Sequence, residues 1–380
     1  METSVKSKNL EAFRTAANTI VNPELQKWMD KGGKVMGYWC CYAPEEIITA
    51  AGMAPIRVRA TGSTGTELAD AYVSSINCSF CRHAFNMGLN GEYDFVEAMV
   101  WLNNCDHVRR MYDNWWRKVS TPLTRMMSLP KFTGDKQVAW WREELVFFKE
   151  GLEKHLGITI TDDKLREAIN IHNEKRRLLR QLFELRKSDN PPITGADSLA
   201  AVVASTSIPP AEFNQMLKDL LEELKDAEGI KDYSKRLLLV GSIFDDPSYV
   251  KNMEDIGALV VADNQCFGTR AFAVDVNESI KDPLDALAKH TIQDRQHCPR
   301  LFGEYKRRSQ YVQDMVKDYK VDGVVGLRMT FCDLWAGEYY MLNLDMKKAG
   351  IPFFYMDREY LMGGTAGQIR TRIQAFMETL

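Results

Sequence analysis

The chain has 380 residues, 45% of them hydrophobic and 10% aromatic, and its 49 Lys and Arg against 52 Asp and Glu leave a net charge of −3. That length exceeds what one hydrophobic core usually organises, so two or three domains are expected. The near-balance of charge argues against the concentrated cationic face that nucleic-acid binding needs, and no apolar run reaches the roughly 18 residues of a membrane span.

The opening "METSVKSKNLEAF" reads as a polar amphipathic helix without the apolar centre of a signal peptide. Eight cysteines spread through so long a chain point to a reduced, cytoplasmic setting rather than a disulfide framework. Val35 to Trp39 is the first predicted strand. Pro44 then starts a helix whose first turn carries Glu45 and Glu46, Gly52 closes it, and Ala54 to Val58 is the next strand. This β-α-β unit predicts a parallel sheet covered by helices. A further strand runs from about Phe95 to Leu102, a helix from Asp106 to Trp116, and Thr133 and Gly134 precede a long amphipathic helix. Residues 1–157 therefore read as an N-terminal α/β lobe.

Residues 158–234 turn helical and charged. One helix begins after Thr161, Asn190-Pro191-Pro192 breaks it, and "IPPAEFNQMLKDLLEELKDAEG" forms another, giving a helical connector domain. Residues 235–380 return to strand and helix, with strands in "KRLLLVGSIFDD", "ALVVADN", "DGVVGLRMTFC" and "IPFFYMD". The predicted fold class is α/β: two flavodoxin-like (Rossmann-like) parallel-sheet lobes plus a helical domain.

Cys78, Cys105 and Cys332 each sit where an apolar run gives way to a polar loop. A thiol at the carboxyl end of a buried parallel strand faces the crevice where open α/β sheets bind ligands. Three thiolates meeting between two lobes suit a soft metal cluster with its fourth iron position open. Asp106 and Asp333 begin helices directly after Cys105 and Cys332, and a helix amino terminus favours the thiolate. The Cys78-x-x-Cys81 pair also fits half a zinc site or a redox dithiol, and buried structural cysteines are the plain alternative. Cys40, Cys41 and Cys266 read as core thiols or thiols behind the ligands.

Glu45 and Glu46 are candidates for a general acid or base, although helix-start carboxylates need no further role. His107, like His83, flanks a cysteine and is a candidate proton donor. Trp101, Tyr112, Trp115 and Trp116 would wall an apolar pocket for a planar or acyl substrate, or else pack in the core. Gly363, Gly364 and Gly367 before the last helix offer a phosphate cradle. The P-loop pattern occurs nowhere, so ATP hydrolysis on this chain is not expected.

The segments "GYWCCYAPEEIITAAGMAPIRV", "NNCDHVRRMYDNW", "RMTFCD" and "GQIRTRIQAFMETL" resemble the 2-hydroxyacyl-CoA dehydratase and benzoyl-CoA reductase family nearly end to end, least so in the helical middle. The resemblance implies a [4Fe-4S] cluster between the lobes, with Cys78, Cys105 and Cys332 at the positions of the family's cluster cysteines. It implies a coenzyme A thioester as substrate and a heterodimer with a related second cluster-bearing subunit. It also implies a separate ATP-hydrolysing iron–sulfur activator that injects low-potential electrons, so that ATP is handled on the partner. Some members dehydrate 2-hydroxyacyl-CoA through a ketyl radical; others reduce the aromatic ring of benzoyl-CoA. The segment "NNCDHVRRMYDNWW", the tryptophan load and the length resemble the smaller cluster-bearing subunit of an ATP-dependent benzoyl-CoA reductase. The alternatives are the β subunit of a 2-hydroxyacyl-CoA dehydratase, a double-cubane-type reductase, and an electron-relay or structural subunit.

Overall fold

The computed structural model describes residues 1–380. Its framework is two four-stranded sheets of identical topology. The first comprises β1 (Lys34–Tyr38), β2 (Met53–Arg57), β3 (Ala98–Leu102) and β4 (Leu123–Met127), in the order β2-β1-β3-β4. The second comprises β5 (Lys235–Gly241), β6 (Ala258–Asn264), β7 (Gly323–Met329) and β8 (Phe353–Arg358), in the order β6-β5-β7-β8. Every pairing is parallel. This is the flavodoxin-like order, whose switch points fall between β1 and β3 and between β5 and β7. Helices cover both faces, so β2, β3 and β6 are buried throughout and read as continuous apolar runs.

The local signals explain most boundaries. Glu45–Ala50 is a short helix that ends at Gly52, whose φ of 76° is the left-handed turn that glycine adopts without strain. Thr161 accepts a hydrogen bond from the Lys164 N–H and caps the Asp162–Leu185 helix. Pro210 opens the Pro210–Glu223 helix. Between them, Gly195–Ala204 is helical and buried on every side.

The packing does not divide where the sequence pattern changes. The Lys8–Asn18 helix lays Leu10, Phe13 and Ala16 against Leu178, Leu182 and Phe213 of the helical layer. Conversely, Val276, Leu284, Leu287, Ile292 and Leu301 pack with Met36, Ile47, Leu102 and Trp141 in the core of the first sheet. A segment that follows β6 in the chain thus covers the sheet containing β1. No helix is long and apolar enough to cross a membrane.

Candidate functional site

The carboxyl ends of the two sheets meet at a cavity of about 240 Å3, and all eight cysteines of the chain line it. Cys40 and Cys41 follow β1, Cys105 follows β3, Cys266 follows β6 and Cys332 follows β7. Both switch points therefore open into one space, the location at which such sheets bind ligands. Trp39, Phe80, Phe302 and Trp335 supply apolar wall.

Cys78, Cys105 and Cys332 share a second property: each is the residue immediately before a helix. They precede Ser79–Leu89, Asp106–Lys118 and Asp333–Lys348 respectively. Three helix amino termini thus converge on the cavity, and their unpaired N–H groups favour negative charge there. Burial opposes them. It pushes the Cys105 thiol up to about 12 and raises Cys332 as well, with Cys78 adding to both shifts. Burial therefore disfavours at these two positions the thiolate that helix placement favours, and a thiolate there would need a positive partner such as a bound metal. Cys78 is lowered, chiefly by a hydrogen bond from the Cys81 thiol and then by backbone N–H groups, while Cys81 is raised well above its ordinary value.

No three histidine, cysteine, aspartate or glutamate side chains close on a single ion-sized point. The donor set is soft, drawn from both sheets and bounded by apolar wall.

The turn before Cys332 is held in an unusual shape. Phe331 has φ of 66°, a conformation that costs a bulky residue energy. Its carbonyl lies 2.9 Å from Nε2 of His107, whose Nδ1 is 2.9 Å from Asn77 Oδ1 and accepts from the Cys78 N–H at 3.3 Å. His107 lines the cavity, but both ring nitrogens are engaged. It straps the Cys78 loop to the Cys332 loop rather than presenting a free proton donor.

Glu45 and Glu46 do not line the cavity. They border a separate small cleft on the far side of Cys41. Glu45 accepts from the Tyr38 hydroxyl at 2.9 Å and from Lys175 at 2.6 Å. Glu46 pairs with Arg176 on the same Asp162–Leu185 helix. Burial works against ionisation at both, yet Lys175 and Arg176 hold the two carboxyls below the usual range. Permanently ionised and paired, they anchor the helical layer to the first sheet.

Of the two alternatives for the tryptophans, the structure has core packing at Trp101 and Trp115. Trp101 and Trp115 are fully buried and Trp116 is 63% exposed, and none of the three lines the cavity. Trp101 stacks on Trp39 at 4.3 Å, and Trp115 meets Trp39 edge-on at 5.8 Å. They therefore back the one tryptophan of that stack which reaches the cavity. Trp39 precedes Cys40 in sequence, and that adjacency was its only signal. The Gly363–Thr365 turn also lies away from the cavity lining. Cys298, Arg57, Arg270 and Arg300 line the cavity without any motif to mark them.

The sequence matches a family model described as 2-hydroxyglutaryl-CoA dehydratase, D-component, over residues 40–380. It is 30% identical to the (R)-phenyllactyl-CoA dehydratase beta subunit of Clostridium sporogenes, covering 97% of this chain and 98% of that one. It is 29% identical to one of the benzoyl-CoA reductase subunits of Thauera aromatica, over 81% of each chain. Against the beta subunit of (R)-2-hydroxyglutaryl-CoA dehydratase from Acidaminococcus fermentans it is 27% identical, over 94% of this chain and 95% of the other. Paired flavodoxin-like sheets and a match running from Cys40 to the last residue lead to one conclusion: the chain belongs to the 2-hydroxyglutaryl-CoA dehydratase D-component family, among the beta-type subunits of hydroxyacyl-CoA dehydratases and benzoyl-CoA reductases.

Proposed function

We propose that this chain is the iron–sulfur subunit of an ATP-dependent benzoyl-CoA (aryl-CoA) reductase, working in the cytoplasm beside a related cluster-bearing subunit and a separate ATP-hydrolysing activator. The observation that carries the reading is the meeting of Cys78, Cys105 and Cys332, each at a helix amino terminus, in one apolar-walled cavity between two sheets. These three residues would hold a [4Fe-4S] cluster. When bound, such a cluster supplies single electrons at a potential set by its charge, burial and hydrogen bonds. The chain's own residues do the rest. Trp39, Phe80 and Trp335 give the site buried apolar wall, and His107 fixes two ligand loops against each other.

Two observations favour other readings. The dehydratase relative matches a larger share of this chain than the reductase relative does, 97% against 81%, which favours the β subunit of a 2-hydroxyacyl-CoA dehydratase. The gathering of all eight thiols on one cavity favours a double-cubane-type reductase. One experiment separates the three. The chain is co-expressed with its partner subunit and purified without oxygen, iron and acid-labile sulfide are counted, and EPR spectra are recorded after reduction with each thioester. About four iron per chain and a spectrum altered by benzoyl-CoA support the reductase reading. A response to a 2-hydroxyacyl-CoA alone moves the assignment to the dehydratase, and about eight iron per chain moves it to the double-cubane type.

A further inference from the structure

Arg57, Arg270 and Arg300 line the cavity, Arg295 bonds the backbone of the cavity residue Cys41, and none of the four makes an ion pair with a carboxylate. Arg57, Arg270, Arg295 and Arg300 are each at most 5% exposed. Arg57 donates to the Cys266 carbonyl at 2.6 Å and to its Sγ at 3.2 Å. Arg270 donates to the carbonyls of Asn264 and Gly241, and Arg295 to those of Cys41 and Arg270. Arg300 donates to the carbonyls of Asn103, Leu129 and Pro130. The Nε of each arginine has no partner at all. Three of the four cover aromatic faces: Arg57 over Phe267, Arg270 over Trp335 and Arg295 over Tyr42.

A buried cation is costly unless a negative charge lies beside it. Elsewhere several buried arginines obey this rule with carboxylates, while Arg59, Arg236 and Arg358 are held by backbone carbonyls without an ion pair. Arg176 faces Glu46 and Arg308 faces Glu338. Arg186, equally buried and bonded to a carbonyl, has Asp263 and Glu254 nearby. Around the cavity the pattern changes. The acidic groups that act most strongly on Arg57 are Cys266 and Cys41, on Arg295 they are Cys41 and Tyr42, and on Arg300 they are Cys298 and Cys40. Carbonyl dipoles fix these guanidiniums in direction without neutralising them. Asp263 offsets Arg270 in part, whereas for Arg57 and Arg300 the balancing charge has to come from the thiols and from what they bind.

We propose that Arg57, Arg270, Arg295 and Arg300 form a cationic cage that compensates the negative charge of a thiolate-bound iron–sulfur group in this cavity and raises its potential. The inference rests on the reading that the cavity takes such a group. The four are positioning residues acting through charge: each added electron makes the bound group more negative, and a fixed cation nearby favours that state.

The test uses the anaerobic complex with its partner, comparing wild type with Arg57→Gln, Arg300→Gln, Arg57→Lys, Arg300→Lys and a control, Arg186→Gln. Iron and sulfide are counted and the reduced fraction is followed by EPR in a redox titration. Each glutamine variant is expected to lower the reduced-to-oxidised ratio at fixed potential by about 10-fold, or about 59 mV for a one-electron couple. The lysine variants, which keep the charge but lose the forked hydrogen bonds, are expected to stay within about 2-fold of wild type by the same relation. Equal shifts in lysine and glutamine variants would assign the arginines to packing and overturn the cage. So would no shift in either glutamine variant, or an equal shift in Arg186→Gln. Wild type without iron sinks the cluster reading and the cage together, whereas loaded wild type with unmoved variants sinks the cage alone. Arg57 lies on β2 and Arg300 on a loop of the other half, so if one glutamine variant does not fold the other decides.

Discussion

Glu46→Gln separates an anchoring carboxylate from a reacting one. In the wild type Glu46 is buried and pairs with Arg176, whose other side-chain partner is Asn173 Oδ1 at 2.9 Å. Burial pushes the neighbouring His172 and His290 down to about 3, so neither carries charge at neutral pH. Lys175 is already committed to Glu45 at 2.6 Å. The amide keeps the shape of the carboxylate but leaves the Arg176 charge buried and unbalanced, which costs about 3–5 kcal/mol. With a urea slope of roughly 3 kcal/mol/M, the midpoint falls by roughly 1 M. Adding Arg176→Met to the variant removes the orphaned cation and recovers part of the loss. The pH dependence has a definite sign. The folded carboxyl titrates below its unfolded value of about 4.3, so its stabilisation is complete above that pH and disappears as pH falls further. The gap between wild type and Glu46→Gln is therefore full at pH 7 and narrows below about pH 4. A variant within about 0.5 kcal/mol of wild type in urea, yet without turnover, would refute the anchoring role and return Glu46 to the chemistry.

Glu254 has the opposite sign: burial raises it to about 7, against backbone N–H bonds from Gly195 and Ala196. Its contribution is full below the unfolded value of about 4.3 and is lost as pH rises through about 7, so Glu254→Gln should flatten the stability–pH profile over that interval in thermal scans. Gly88→Ala places a Cβ 2.5 Å from the Trp115 ring and should cost about 1–3 kcal/mol by denaturation. Trp101→Ala should cost about 3–5 kcal/mol while leaving the KM for any substrate that the folded fraction turns over unchanged, since the ring does not reach the cavity. Cys78→Ser should lose iron and Cys81→Ser should keep it, measured as iron per chain after anaerobic purification; equal loss in both would reassign the ligand.

Strand-end thiols were legible because the same pattern, an apolar run followed by a polar loop, repeats at β3 and β7. The edge strand β4 was not: its sequence LTRMM is only half-buried, and a sheet edge imposes no strong periodicity. The Gly195–Ala204 helix escaped for the opposite reason, since burial on every side erases the amphipathic signal. The two alternatives for the tryptophans, pocket wall and core packing, divide on a rule available in the sequence. Val108, Met111 and Trp115 lie on one helical face, which leaves the adjacent Trp116 pointing elsewhere. The partners of Glu45 and Glu46 sit 130 residues away at Lys175 and Arg176, and Arg57, Arg270 and Arg300 come from separate stretches. Each reads in isolation as an ordinary surface charge, because pairing across such distances leaves no local trace.

The interlacing of the two halves has a consequence for how the chain is made. The first sheet has all its strands once residue 127 has been synthesised, but Val276, Leu284, Leu287, Ile292 and Leu301 complete the apolar layer that covers it. For well over a hundred residues of translation, that face stays open to water and to other chains. The amino-terminal half is therefore a poor candidate for expression by itself, and the nascent protein depends on protection from aggregation until its last third emerges.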